Sequence, residues 1–263
     1  MMEAGRHTIA RMKHVLWIGG PPVSGKTTVA TRLARRHGLR LYSADTRTWA
    51  HRDRALAAGN AAAMRWESMT HRERWELSTT DEMLEMSLHR ERGSMVIDDL
   101  SALPPSPLIV AEGSTLPASA LTRGIAARSR AVWLIPSAAS QRTQLAARAA
   151  TGGNAQLYLL LGKTIEEEAR NHGAPIVTVD GSRGIAETVN AVEHLFGGTL
   201  AAGPRARTLG ERRALLREAN EGIAAQVRSY YNRPWAIGSP ETVVREFVCE
   251  CGDPLAPRMS GWR

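Results

Sequence analysis

Gly20-Pro21-Pro22-Val23-Ser24-Gly25-Lys26-Thr27 is the stretch on which the fold turns. The apolar run Val15-Leu16-Trp17-Ile18 precedes it, and the segment that follows puts Val29 and Leu33 on one helical face. A complete G-x-x-x-x-G-K-T between a strand and a helix is a phosphate-binding loop. Its glycines permit a tight nest of backbone N–H groups, and the helix N-terminus adds a favourable dipole. Gly20 through Thr28 are therefore the expected nucleotide contacts, with Lys26 reaching the terminal phosphates and the Thr27 hydroxyl ligating magnesium. ATP and Mg²⁺ are the expected cofactors.

Working outward, further apolar runs lie at Leu39 to Ser43, Leu108 to Ala111, Ala131 to Ile135 and Pro175 to Val179. Helical patterns separate them: residues 46 to 92, broken at Gly59, then Ala118 to Arg128, Gln141 to Ala150, Ala155 to His172 and Ile185 to Phe196. Val96 to Pro107 reads as a loop. Strands that are continuously apolar and alternate with helices predict an α/β architecture, a parallel sheet covered on both faces. The expected organisation is a P-loop domain over 1–199, with a helical substrate region at 46–95 and a lid at 141–153 hinged on Gly152 and Gly153. Residues 200–263 form an extension. In it Gly197 to Arg207 reads as a linker, and Leu216, Ala219, Ile223, Val227 and Tyr230 recur at helical spacing. That apolar stripe calls for a cover, either a second copy of the chain or the core itself.

The 263 residues are 43% hydrophobic, ample for a core, and carry a formal charge of +8. The arginines are scattered among acids, which argues for a solvated basic surface over a nucleic-acid footprint. No window approaches the roughly 18 apolar residues of a membrane span, and the N-terminus has no signal-like apolar run. Cys249 and Cys251, one residue apart, make no disulfide framework, so a reducing cytoplasm is expected. They are half of a zinc site at most.

Beyond the loop, Asp45 ends the second strand, at the edge where parallel sheets place their ligands. Its carboxylate can accept a proton from an acceptor hydroxyl or orient that hydroxyl, cap the next helix, or order magnesium through water. Arg47 can bind an anionic or polar substrate. Glu112 ends the third apolar run, where a carboxylate orders magnesium or its waters and borders the substrate; structural pairing with an arginine is the alternative. Asp98 can approach the substrate from the loop before that strand. Arg142 and Arg148 sit in the lid and can neutralise charge on the transferring group; only one is expected to reach it, Arg148 being preferred. Arg183, in Asp180-Gly181-Ser182-Arg183, can lie against the base. Trp49 and Trp75 offer flat faces for a sugar or ring, or simply pack the helical region.

On GGPPVSGKTT, Asp45, Glu112-Gly113, the arginines between Gln141 and Arg148 and the VDGSRG turn, the chain resembles the small P-loop kinases over residues 14 to 196. That group includes shikimate and gluconate kinases, adenylylsulfate kinases and chloramphenicol phosphotransferase. The resemblance implies a five-stranded parallel sheet of order 2-3-1-4-5, a helical substrate region and a lid. It also implies transfer of the γ-phosphoryl of ATP to a small acceptor, with an aspartate at the position of Asp45. The long 46–92 region and the tail depart from compact members. FVCECGDP resembles a C-terminal ending that normally carries a further cysteine, and here none follows.

The leading expectation is an ATP-dependent kinase acting on a hydroxyl of a metabolite, nucleoside or antibiotic-like molecule. A nucleotide-dependent switch or ATPase acting on a protein or nucleic-acid partner through the C-terminal helix is the alternative. A toxin-like kinase, or a nucleotide binder without efficient turnover, is a third reading.

Overall fold

A computed structural model of the chain describes residues 11–253. The first ten residues, read above for a leader, and residues 254–263 of the tail lie outside the described residues. Five strands, β1 (Val15–Gly19), β2 (Arg40–Ser43), β3 (Ile109–Gly113), β4 (Ala131–Pro136) and β5 (Ile176–Val179), form one sheet of order β2-β3-β1-β4-β5. Every pairing is parallel. β1, β3 and β4 are buried along their whole length, as their largely apolar sequences require, Glu112 being the charged exception in β3.

Alternate side chains feed two cores. Val15, Trp17, Ala111 and Trp133 pack on one face with Val96, Leu157 and Leu161. Leu16, Ile18, Val110 and Leu134 pack on the other with Val29, Leu33 and Phe196. The helices supplying these residues are α1 (Lys26–His37), α5 (His89–Ala102), α8 (Gly152–Asn171) and α9 (Ile185–Ala202). Between β2 and β3 the chain adds α2 (Thr48–Ala57), α3 (Ala61–Ser68) and α4 (Thr80–Met86) ahead of α5. Gly59, at φ 70°, separates α2 from α3, the interruption its position predicted.

Several boundaries differ from the sequence reading. α5 runs on to Ala102, so Asp98 and Asp99 sit on a helix and not in a loop; the Pro104-Pro105 pair stops the helix later than a proline-rich stretch suggests. The helix expected at Ala118 to Arg128 shrinks to α6, Ser119–Thr122. α7 spans Ala138–Ala147, and α8 begins at Gly152, which removes most of the expected glycine hinge. A Cβ at Gly153 would strike the Trp75 carbonyl oxygen, so that glycine serves close packing of α8 on the helical region. The linker at 197–207 is helical as far as Ala202.

The apolar stripe of the extension lies on α10 (Leu209–Tyr231), which opens with a Thr208–Glu211 capping box. α10 folds back along β2 and α2. Arg40 Nε donates to Glu218 at 3.0 Å, and Asn220 exchanges two 2.9 Å hydrogen bonds with the backbone of Val248. Beyond the helix, Trp235 donates to Glu67 at 2.6 Å and its ring packs against Trp49 at 5.6 Å. The Arg74 guanidinium lies 4.1 Å from the Trp235 ring centroid, a favourable cation–π geometry. Aromatic and ionic contacts thus clamp the extension to the helical region. Among the described residues, no helix is long and apolar enough to cross a membrane.

Candidate active site

The loop after β1 has the backbone its letters call for. Gly20 and Gly25 have φ of 142° and 82°, and Val23 is held at φ 62°. A β-branched residue adopts that region at a cost of about 1–2 kcal/mol, so the surrounding loop enforces it. A Cβ at Gly20 would fall on the Leu134 carbonyl oxygen, which makes glycine obligatory there. The Ser24 hydroxyl is buried without a hydrogen-bond partner, and Lys26 is buried with its ammonium 3.4 Å from the Pro21 carbonyl. A nest of amides, an unsatisfied hydroxyl and a buried cation suit the phosphates of a nucleotide.

Strand register brings two carboxylates to this loop. Glu112 pairs with Ile18 of β1 on one side and Ser43 of β2 on the other, which sets it behind the first turn of α1. It is fully buried, and it accepts hydrogen bonds from Thr27 Oγ1 at 3.0 Å and from Ser43 Oγ. Burial, and then the charge of Asp45, push the Glu112 carboxyl up from its ordinary range, opposed by Lys26 and the two hydroxyls. Thr27 beside a buried carboxylate is an oxygen set suited to Mg²⁺ and its water shell.

Asp45 lies in a 3₁₀ turn, 44–47, directly after β2. Its carboxylate caps no helix. It sits 3.3 Å from Lys26 Nζ and accepts from the Ser114 amide at 3.3 Å. The side chain is 44% exposed although protein surrounds it, the situation of a group on the floor of a cleft. Burial alone would raise its pKa, but Lys26, Arg92 and the Ser114 amide together hold the carboxyl below its usual range. Asp45 is therefore an anion poised beside the phosphate-binding lysine, and Glu112 is the carboxylate that holds protons more readily.

Not every expected residue converges here. Arg47 and Arg148 both line a cavity of about 500 Å³ that opens beside Thr27 and Thr28. Arg142 is exposed on α7 and does not line that cavity. Asp98 is turned outward to Arg54 at 2.8 Å. Its neighbour Asp99 takes the interior role, accepting from Tyr42 at 2.8 Å and bonding His51 at 2.9 Å. Trp49 is engaged with Tyr230 and Trp235, and Trp75 stands edge-on to Trp66 at 5.3 Å, so both rings are used in packing. Arg183 is exposed on the turn after β5, where Ser182 bonds back to Asp180 at 2.9 Å. Cys249 and Cys251 are free thiols, and among the described residues no group of three or more metal-ligating side chains exists.

The cleft also holds groups that local sequence does not announce. Arg92, buried on α5, donates to the Ala44 carbonyl at 2.7 Å and acts electrostatically on Asp45. Tyr158, on α8, is near enough to Asp45, Arg148 and Lys26 to feel their charges; burial first, then Asp45, hold its phenol in the protonated form. Neither position has a motif around it. Helical periodicity could have placed them on inward faces, but only the tertiary fold brings them near enough to interact electrostatically with one aspartate.

The family model described as an AAA domain, a P-loop NTPase module of the kinase-like kind, matches residues 15–159, more than half of the chain. That span runs from β1 into α8 and includes every cleft residue named above. A nucleotide-binding, nucleotide-dependent enzyme of the P-loop kinase type follows from this match. Comparison with curated proteins finds no match.

Proposed function

The chain belongs to the AAA-domain family of P-loop NTPases, and from that premise we propose that it is an ATP-dependent phosphotransferase acting on the hydroxyl of a small molecule. One observation carries the reading: Lys26 and Thr27, adjacent in the loop, reach two differently tuned carboxylates, Asp45 at 3.3 Å and Glu112 at 3.0 Å, beside a ligand-sized cavity. In the proposed reaction the acceptor oxygen bonds to the γ-phosphorus while the bond from that phosphorus to the β–γ bridging oxygen breaks. ADP departs, and the hydroxyl proton passes to Asp45 or, through it, to solvent.

Phosphoryl transfer asks the protein mainly for position and charge. The loop amides and Lys26 hold the β- and γ-phosphates, and Arg148 balances charge on the transferring group. Thr27 and Glu112 would hold Mg²⁺, which neutralises phosphate charge when bound. Asp45, kept ionised by its neighbours, orients the attacking hydroxyl by accepting its hydrogen bond.

The test is ADP release with Mg²⁺–ATP alone and with a panel of hydroxyl-bearing small molecules. The rate should be low alone and rise sharply with one chemical class. Lys26→Ala should abolish the rise while leaving the melting curve cooperative. Stimulation by a macromolecule instead, or full activity in Lys26→Ala, would overturn the proposal.

A further inference from the structure

The described chain ends in a strap, residues 246–253, that runs back along α10 and is fastened at several points. Asn220 exchanges two 2.9 Å hydrogen bonds with the Val248 backbone and donates to Glu250 at 2.8 Å. Arg217 Nε donates to Glu250 at 3.2 Å, and Arg213 Nε donates to the Cys251 carbonyl at 3.2 Å. A Cβ at Gly252, where φ is 78°, would strike Leu209, so the strap turns tightly against the helix there. These bonds use carboxylate and backbone, and they leave the thiols of the turn out of the fastening.

Cys249 and Cys251 are the two cysteines of the sequence, and the turn brings them together. The Cys251 amide donates to Cys249 Sγ at 3.4 Å. Arg35, in the last turn of α1, places Nη2 3.9 Å from Cys251 Sγ while donating to the Asp253 carbonyl at 2.9 Å. The Cys249 thiol first, then the Asp253 amide and the Arg35 cation, hold the Cys251 thiol below the ordinary cysteine range. Structural thiols are inert because they are buried among apolar groups. These two are partly exposed and line an open hollow of about 470 Å³. Residues two apart have Cα atoms about 7 Å apart at full extension and closer in a turn, which is within reach of a bridge. A resident metal fits poorly, since among the described residues no third ligand joins the pair.

We propose that Cys249 and Cys251 form a thiol–disulfide exchange site that takes small-molecule disulfides, with Cys251 as the attacking thiolate and Cys249 as the resolving thiol. Cys251 Sγ bonds to one sulfur of the incoming disulfide, the bond between its two sulfurs breaks, and the first small thiolate leaves. Cys249 then gives its proton to solvent and attacks Cys251 Sγ, expelling the second thiolate. The protein dithiol is oxidised by two electrons and the small disulfide is reduced to two thiols, each taking up a proton. The pair directly follows Phe247 and Val248, which line the cavity beside Thr27, so the exchange acts on a segment that walls the candidate site. It stands independently of phosphoryl transfer.

The test is intact-mass spectrometry of the reduced full chain incubated with glutathione disulfide near neutral pH. The chain should lose two hydrogens, digestion should map the link to residues 249 and 251, and dithiothreitol should reverse it. Serine is nearly isosteric with cysteine, so both single variants should keep a cooperative melting curve. Cys249→Ser should stop at one glutathione adduct on Cys251, and Cys251→Ser should react about tenfold more slowly, the thiolate being favoured beside Arg35. Adducts on both cysteines without an internal bridge, a disulfide between two chains, or equal rates in the two variants would overturn the proposal. So would ring closure as fast in denaturing urea as in the folded chain, because the turn and Arg35 would then contribute nothing.

Discussion

Replacing Asp45 by Asn should move nucleotide binding and phosphoryl transfer in opposite directions. In the free protein Asp45 competes with phosphate for Lys26, their charges standing 3.3 Å apart. Two unit charges at that distance attract by roughly 5 kcal/mol at an effective dielectric of about 20. Asp45 is 44% exposed, so solvent screening reduces the usable part to about 1 kcal/mol, the scale of partly exposed pairs. Removing the carboxylate also removes a negative charge from the neighbourhood of the γ-phosphate. Mg²⁺–ATP should therefore bind Asp45→Asn about fivefold tighter, the equivalent of that 1 kcal/mol. Acceptor-dependent ADP release should fall by about 10²-fold, the scale of a lost general base. A fall of only about tenfold would mark Asp45 as orienting the hydroxyl, since a loose transition state needs little proton abstraction. Calorimetric titration with a non-hydrolysable analogue, beside a coupled ADP assay, separates the two effects. Unchanged affinity and unchanged turnover would refute the placement of Asp45 in the site. Weakened nucleotide binding would mean that the ion pair preorganises Lys26 and does not compete for it.

Gly20→Ala should cost about 2 kcal/mol or more of stability, or open the loop and weaken ATP binding at least tenfold, because its Cβ collides with the Leu134 carbonyl at φ 142°; urea unfolding and ATP titration read both. The Asp99 carboxyl is held below the ordinary aspartate range, since the hydrogen bonds from His51 and Tyr42 outweigh the effect of burial. Its contribution is thus fully present above the unfolded pKa and lost as pH falls through the folded one. Asp99→Asn should lower the melting temperature at pH 6, and the gap to the unmodified chain should narrow below about pH 4, where an unfolded aspartate takes up its proton; a gap independent of pH would contradict this. Trp235→Ala removes ring contacts to Trp49 and Tyr230, the Arg74 stack and the bond to Glu67. It should cost about 2–4 kcal/mol in chemical denaturation, whereas a loss below about 0.5 kcal/mol would mean that the extension is not clamped through this residue.

The sequence alone determined what depends on neighbours along the chain. A phosphate-binding loop is a local device, so Gly20 to Thr27 could be read with its strand and helix, and fully apolar strands identify themselves as buried. Glu112 and Asp45 were legible because strand ends of a parallel sheet share one edge, which makes position along a strand a statement about the site. The strand order agrees with what the family resemblance implied. Pairings between distant segments were decided only by the fold. Trp49 is a ring that periodicity cannot assign to ligand or to packing, and Tyr230 and Trp235, far along the chain, claimed it. Asp98 and Asp99 are equivalent letters; one helix turns the first to solvent and the second to Tyr42 and His51. Arg92 and Tyr158 gain meaning from converging on Asp45, and the stripe on α10 from lying along β2, where it walls the cavity. Local propensity and periodicity fix which face of an element is apolar. Which surface covers that face is settled by long-range packing, whose energy no short stretch of sequence contains.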